Sequence, residues 1–207
     1  MVKNWMKACC LVAAMIGTAQ AAQQTYVVGS GGTYRPFEFE NSQKQLEGFD
    51  IDIIKAIAKA EGFDIKLVNT PWEGIFATLS TGDRDIIISG ITITDKRKQM
   101  VDFSAPYFPA EQSIVVPADS KVTSLEALKN EKVGVVNSST GDIVVSEVLG
   151  KNSTSIKRFD NTPLMLQELF EDGVSAAVGD VGVVKYYIKQ HPEKQFKLVP
   201  DAKFERQ

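Results

Sequence analysis

Thiols are nearly absent from this 207-residue chain: its two cysteines, Cys9 and Cys10, are adjacent and lie close to the N-terminus. Everything after them is free of thiol, which excludes a disulfide framework and a cysteine metal site there. Histidine is as scarce. The one histidine, His191, precedes Pro192 at a predicted helix end, so metal or triad chemistry built on histidine is excluded as well. Positive charge is not in excess: 23 basic side chains stand against 26 acidic ones, a net charge of −3, which argues against a nucleic-acid partner, whose phosphates demand a basic surface. Like-charge blocks, tandem repeats and low-complexity segments do not occur. Long apolar runs are also missing, since "ACCLVAAMIGTA" is about a dozen residues where a spanning helix needs roughly 20.

What is present starts with that short run. Lys3 and Lys7 precede it and the small residues Ala19 and Ala21 close it, the pattern of a secretory signal cleaved after Ala21. Lys7 interrupts the apolar stretch that lipid attachment at Cys9 requires, so a free, soluble periplasmic protein is expected. Cleavage removes two lysines and no acid, moving the net charge from −3 to −5. With 43% hydrophobic and 24% charged residues, the remainder can bury a core in one large or two small domains.

From Tyr26 on, apolar strands alternate with amphipathic segments. "TYVVGS" reads as a strand, and "DIDIIKAIAKAEG" as a helix with Ile53, Ile54, Ile57 and Ala58 on one face and Gly62 as its stop. "DIKLVN" is a second strand. A short helix with Ile75, Phe76 and Leu79 inward ends at Gly82, and "DIIIS" is a third strand, apolar throughout as a strand covered on both faces would be. This first unit is βαβαβ. The proline-punctuated "DFSAPYFPAEQSIVVPADS" is predicted as an extended crossing, neither long helix nor buried strand.

The same grammar then restarts. Thr123 and Glu126 form a capping box, "KVGVV" is a strand, "STGDIVVSEVLG" begins a helix and "SIKRF" is a strand. Thr162 and Pro163 cap and open the next helix, and "SAAVGD" is the last clear strand. The expected fold class is α/β, with a leader at residues 1–21, one unit at 22–115 and a second at 116–207.

Open α/β sheets bind ligands beyond the carboxyl ends of their strands, beside helix N-termini. Four stretches hold that place: "SGGTY", "SGITITDKR", "NSSTGD" and "VGD". In the second, Thr94 or Asp95 caps a helix whose first turn carries Lys96 and Arg97 against the helix dipole, at a cost of about a few tenths of a kcal/mol. Arg97 fits a solvated basic turn. Beside Ser89, Thr92 and the bare backbone of Gly90 it also fits an anion site, because a guanidinium fork matches a carboxylate. "NSSTGD" places Ser138, Ser139, Thr140 and Gly141 at a helix start, which serves ordinary capping or an anion equally. Asp180 suits a helix cap or a bound ammonium. Tyr34 and Trp72, in the loops after the first two strands, are either core or the flat walls of a small cavity. Anion fork, ammonium partner and aromatic walls together describe a zwitterion site, and no metal or cofactor is expected.

From about Tyr26 to Gln207 the chain resembles the polar amino-acid-binding proteins of ABC importers, the extracellular solute-binding protein family 3. The resemblance is carried by "YRPFEF", "GFDIDIIKAIAK", "DIIISGITITDKRK", "VDFSAPY", "KVGVVNSSTGD" and "AAVGD", with "GITITDKRK" closest to glutamine-binding members. It implies a two-lobed periplasmic-binding-protein (type II, flytrap) fold closing on an amino acid, a membrane permease as partner, a monomer and no catalysis. It also implies that Arg97 clamps the α-carboxylate, helped by Thr92 and the N–H groups around Thr140 and Gly141. Asp180, with the Gly90 carbonyl and the Thr92 hydroxyl, is matched to the α-ammonium, Tyr34 and Trp72 to the aromatic pair enclosing the side chain, and Ser89 to the wall of lobe one.

The chain departs from relatives at several points. Gly31 and Gly32 stand where relatives often carry an acid, and Asn137 and Gly179 replace a pocket lysine and histidine, so an uncharged polar side chain such as glutamine is expected, although Glu38 and Asp142 remain within approach. The family's return to lobe one, with its added strand and helices, is expected to lie beyond Gln207. The alternatives are a dehydratase-like enzyme on the same fold using Glu38 or Asp142, which otherwise read as solvated surface acids, a sensor or surface-antigen module, and a non-functional truncated fragment.

Overall fold

The computed structural model describes residues 23–204, so the expected leader at residues 1–21 lies outside the described residues. In chain order the elements are β1 (Thr25–Ser30), β2 (Thr33–Tyr34), β3 (Glu38–Glu40), β4 (Leu46–Glu47), α1 (Phe49–Glu61), β5 (Asp64–Asn69), α2 (Ile75–Ser80), β6 (Ile86–Ile87), α3 (Asp95–Lys98), β7 (Gln112–Pro117), a 3-10 turn at Glu126–Asn130, β8 (Val133–Val136), α4 (Thr140–Leu149), β9 (Ile156–Phe159), α5 (Thr162–Phe170), β10 (Ala176–Asp180), α6 (Val181–Gln190) and β11 (Phe196–Val199). They build a parallel sheet in the order β5-β1-β6, a mixed sheet in the order β11-β7-β10-β8-β9, and a small antiparallel sheet β2-β3-β4. The fold is α/β, as the sequence pattern requires.

In the first unit, β1 pairs with β5 along its whole length, from Thr25 opposite Asp64 to Ser30 opposite Asn69. Helix α1 stops at Gly62, whose φ of 74° is left-handed and whose N–H closes onto the Ala58 carbonyl. Its buried stripe is Ile51, Ile54 and Ala58, with Asp50 beside it. Ile57, expected inward, falls off that stripe and is 45% exposed. β6 is shorter than "DIIIS" predicts, pairs among the described residues with β1 alone, and is half-buried. The apolar core here is small, centred on Val28, Ile54 and Ile88.

The crossing is not uniformly extended and exposed. Its second half is β7, a buried strand that runs antiparallel to both β10 and β11. Alternation along it sends Ile114 and Val116 into the core under α4 and Val115 into the core under α5 and α6. Hydrogen bonding ties the chain from Gln112 onward to the second sheet, and the boundary expected between residues 115 and 116 falls inside β7. The capping box at Thr123 does not form: the Leu125 N–H donates to Asp201 Oδ2 at 2.8 Å, and Glu126 pairs with Lys129 and Lys203 at 2.6 and 2.7 Å. At α5 the cap is Asn161, whose Oδ1 accepts from the Leu164 N–H at 3.0 Å, so Thr162 is already helical. No helix among the described residues is long and apolar enough to cross a membrane.

Candidate functional site

The loops after β1, β5, β6, β8 and β9 and the end of β10 converge on one cavity of about 340 Å³. That is a small-molecule volume, at the place where open parallel sheets bind. A second cavity of about 320 Å³ lies under the crossing at Phe103–Glu111, with Phe37, Tyr107 and Phe108 among its walls. It is mainly apolar. The first holds the convergent charged and polar groups and is the candidate site.

Arg97 anchors it. The four-residue α3 is capped by Thr94, whose Oγ1 accepts from the Arg97 N–H at 3.2 Å. Arg97 is 6% exposed; its guanidinium donates from Nη1 to the Thr92 carbonyl at 2.9 Å and sits 5.2 Å from the centre of the Trp72 ring and 5.5 Å from that of Phe76. It forms no ion pair among the described residues. Burial pulls its pKa down, and Asp180 and Tyr34 offset part of that shift. A buried guanidinium whose fork is not taken up by a carboxylate among the described residues has the chemistry to receive an anion.

Asp180 closes β10 at the same cavity, accepting from the Tyr34 hydroxyl and from Gln112 Nε2, the latter at 2.5 Å. Burial raises its pKa to about 6, while its bond from Tyr34 and the nearby Arg97 pull the other way. Tyr34 packs under Gly90, where φ is +54° and an added Cβ would stand 2.8 Å from Tyr34 Cε1, so only glycine fits. Trp72 is half-buried at the cavity wall, and its Nε1–H donates to the Asn137 carbonyl at 2.9 Å, linking the first unit to the second.

Ser89 joins the wall to two acids. Its hydroxyl donates to Glu38 Oε1 at 2.6 Å and accepts from the Gly31 N–H at 3.1 Å, while the next N–H, that of Gly90, donates to Asp50 Oδ2 at 2.6 Å. Burial raises the pKa of both acids, that of Glu38 well above the usual carboxylate range, with Asp50 adding to it. Glu38 is 1% exposed and lines the cavity. It is not the solvated acid that its sequence context implies. Asp142, 8% exposed, is also not solvated, but it is held by Arg158 Nη2 at 2.9 Å and by the Ser138 N–H at 3.0 Å, and it does not line the cavity.

Of the nine residues expected at the site, Tyr34, Trp72, Ser89, Gly90, Thr92, Arg97, Thr140 and Asp180 line the cavity. Gly141 does not. It packs behind, where a Cβ would meet the Val178 carbonyl at 2.9 Å, so its glycine serves the close approach of α4 to β10. Sequence reasoning missed Asn69, Gln112 and the turn Asp160–Thr162 and misjudged Glu38. Asn69 and the turn at 160 follow strands and were open to the same positional logic. Gln112 and Glu38 depend on the pairing of β7 and β3, for which no local signal exists.

A model of the bacterial extracellular solute-binding proteins, family 3, matches residues 26–195. A probable histidine-binding protein of Neisseria gonorrhoeae is 44% identical over 181 residues, 86% of this chain and 68% of that protein. The structure of the arginine-, lysine-, histidine-binding protein ArtJ of Geobacillus stearothermophilus superposes with a TM-score of 0.83 at 38% identity, covering 88% of this chain and 79% of the other. An ancestral arginine-binding protein bound to glutamine gives a TM-score of 0.79 at 41% identity, covering 86% and 79%. These relatives are binding proteins on the type II periplasmic fold, and this chain, with the same motifs over the same span, belongs to the bacterial extracellular solute-binding proteins, family 3, whose work is to bind a solute and not to transform it.

Proposed function

We propose that the chain captures an amino acid with a cationic side chain in the periplasm and delivers it, as a monomer, to the membrane permease of an ABC importer. The carrying observation is Arg97, buried on the cavity wall without an ion pair and facing the same space as Asp180. A guanidinium fork and a carboxylate at one small cavity match the two ends of a zwitterion. Thr92 and the start of α4 at Thr140 add donors on the carboxylate side, and Tyr34 and Trp72 flank the side chain.

The choice of side chain turns on Glu38. Glutamine was expected because Gly31 and Gly32 leave no acid after β1, but Glu38, from β3, brings a buried carboxyl to the cavity with Oε2 lacking any partner. A ligand cation satisfies that oxygen, and a neutral amide fills it less well. The histidine- and arginine-binding relatives support the same choice, while the glutamine-bound ancestral protein keeps glutamine in the comparison.

The test is titration calorimetry of residues 22–207 with L-arginine, L-lysine, L-histidine and L-glutamine. Saturable one-to-one binding, tightest for a basic amino acid, is expected. Glutamine binding more tightly than all three overturns the charge assignment, and silence from all four overturns the amino-acid reading.

A further inference from the structure

The site above leaves one feature without a use. Asp50 does not line the cavity, yet it is fully buried in the first turn of α1 with its carboxyl group against that of Glu38. Around this pair stand Ser89, Tyr34 on β2, Tyr107 on the crossing, Asp180 on β10 and Tyr187 on α6. No cation is among them. Arg97 is engaged with Thr92 and feels Asp180 and Tyr34, and Arg35 stacks on Phe39 and acts on Tyr187. Glu38 Oε2 and Asp50 Oδ1 are both buried with no donor at hydrogen-bond distance, and the Tyr107 hydroxyl approaches the Asp50 carboxyl and pulls its pKa down in part.

Two ionised carboxylates cannot stand side by side out of water with no cation near. One proton held between them removes the repulsion and supplies the missing donor, and the two groups then titrate as a unit. Meanwhile the outer oxygens keep fixed work: Glu38 Oε1 accepts from Ser89, and Asp50 Oδ2 holds the Gly90 N–H at 2.6 Å. The loop that presents Ser89, Gly90 and Thr92 to the cavity thus rests on both acids.

We propose that Glu38 and Asp50 share one proton in the empty protein, that the cationic end of an entering side chain displaces this proton to the solvent, and that Asp50 is the positioning residue that holds it there until then. The inference rests on the cationic reading of the ligand given above. Only the carboxyl O–H bond breaks, and the ligand's charge replaces the proton as the counterion of the pair. Arginine affinity then rises with pH, by up to about tenfold per unit while the proton is still bound in the free protein, and levels off once it is gone. A neutral ligand of the same shape leaves the proton in place.

The experiment is calorimetry of residues 22–207 at pH 7 in phosphate, HEPES and Tris, whose ionisation enthalpies differ. L-arginine is compared with L-citrulline, its neutral isostere, which presents the same α-ammonium to Asp180 and so cancels the proton that Asp180 releases. Arginine is expected to release more protons than citrulline by a large fraction of one, up to about one. The difference should fall by at least half in Asp50→Asn, whose Oδ1 still accepts from Gly90 and whose Nδ2 donates to an ionised Glu38. Arginine binding with the same proton release as citrulline overturns the proposal and leaves the cationic reading standing. Release unchanged in Asp50→Asn overturns the role of Asp50. Citrulline binding as tightly as arginine overturns the cationic reading itself, and the proposal with it.

Discussion

The first unit buries Ser30, Glu38, Asp50, Thr70, Ser89 and Arg97 around an apolar cluster built on three residues, whereas the second buries two extended apolar clusters on the two faces of a five-stranded sheet. Among the described residues, the three buried side-chain atoms without a hydrogen bond, Ser30 Oγ, Glu38 Oε2 and Asp50 Oδ1, lie in the first unit. Satisfied apolar packing stabilises a fold, and unsatisfied buried polar groups are kept where a ligand will complete them. The second unit is therefore the better packed of the two, and on the proposed function the first carries most of the recognition.

The sharpest way to break that comparison is one substitution on each side. Arg97→Ala should cost about 3–5 kcal/mol of amino-acid affinity, because the ligand carboxylate is left buried without its partner, while the thermal midpoint of the empty protein stays close to the parent's. Leu166→Ala, in the core under α5 where Leu166 is 1% exposed, should do the reverse, lowering unfolding free energy by about 2–5 kcal/mol with little direct effect on ligand contacts. Calorimetry and chemical denaturation on both variants read the contrast. An Arg97→Ala protein that binds within threefold of the parent removes Arg97 from the site.

A smaller effect comes from Asp180, the main recognition group on the second unit. Asp180→Asn should weaken binding by about 2–3 kcal/mol, the worth of a hydrogen bond to a charged group. In the parent, the carboxyl must give up its proton before it can pair with an ammonium, and its pKa in the empty protein is raised by burial to about 6. For a neutral ligand such as citrulline, which leaves the proton of the Glu38–Asp50 pair in place, affinity is thus full above that value and falls as pH drops through it, by up to about tenfold per unit, a decline that Asp180→Asn abolishes.

Stability should carry the opposite sign. Glu38, Asp50 and Asp180 all have raised pKa values in the fold, so between the ordinary carboxylate range and those values the native state binds more protons than the unfolded chain. Their contribution is present at low pH and lost as pH rises. The ligand-free protein should show a thermal midpoint that declines from pH 5 toward pH 8 more steeply than Glu38→Gln does, and a variant with an unchanged slope removes Glu38 from the effect. The smallest change is expected from Thr94→Ala, which removes the cap of α3 at a cost of about 1 kcal/mol and should weaken arginine binding by about fivefold at most through a looser Arg97.

Legibility in the sequence follows the same division between local and distant causes. Strand and helix periodicities placed β1, α1, β5, α4, β9, α5 and β10 because each pattern is local, and the strand-end rule found Arg97, Asp180, Tyr34 and Trp72 for the same reason. Where the answer depends on which strand lies beside which, the sequence is mute. The proline-punctuated "QSIVVP" reads as part of an extended crossing until β10 and β11 take it as their neighbour, and Glu38 reads as surface until the small sheet folds it inward against Asp50. The expectation of glutamine left Glu38 as an acid within approach, and its burial at the cavity wall was not legible from its neighbours in sequence.

The most direct test of the central claim is a crystal structure of the protein grown with L-arginine. The account predicts the α-carboxylate on the Arg97 guanidinium at charge-assisted hydrogen-bond distance, about 2.7–2.9 Å, the ammonium on Asp180, and the side chain running between Tyr34 and Trp72 toward Glu38. Arginine bound instead in the apolar cavity beneath residues 103–111, or in the same cavity with its carboxylate away from Arg97, would contradict it.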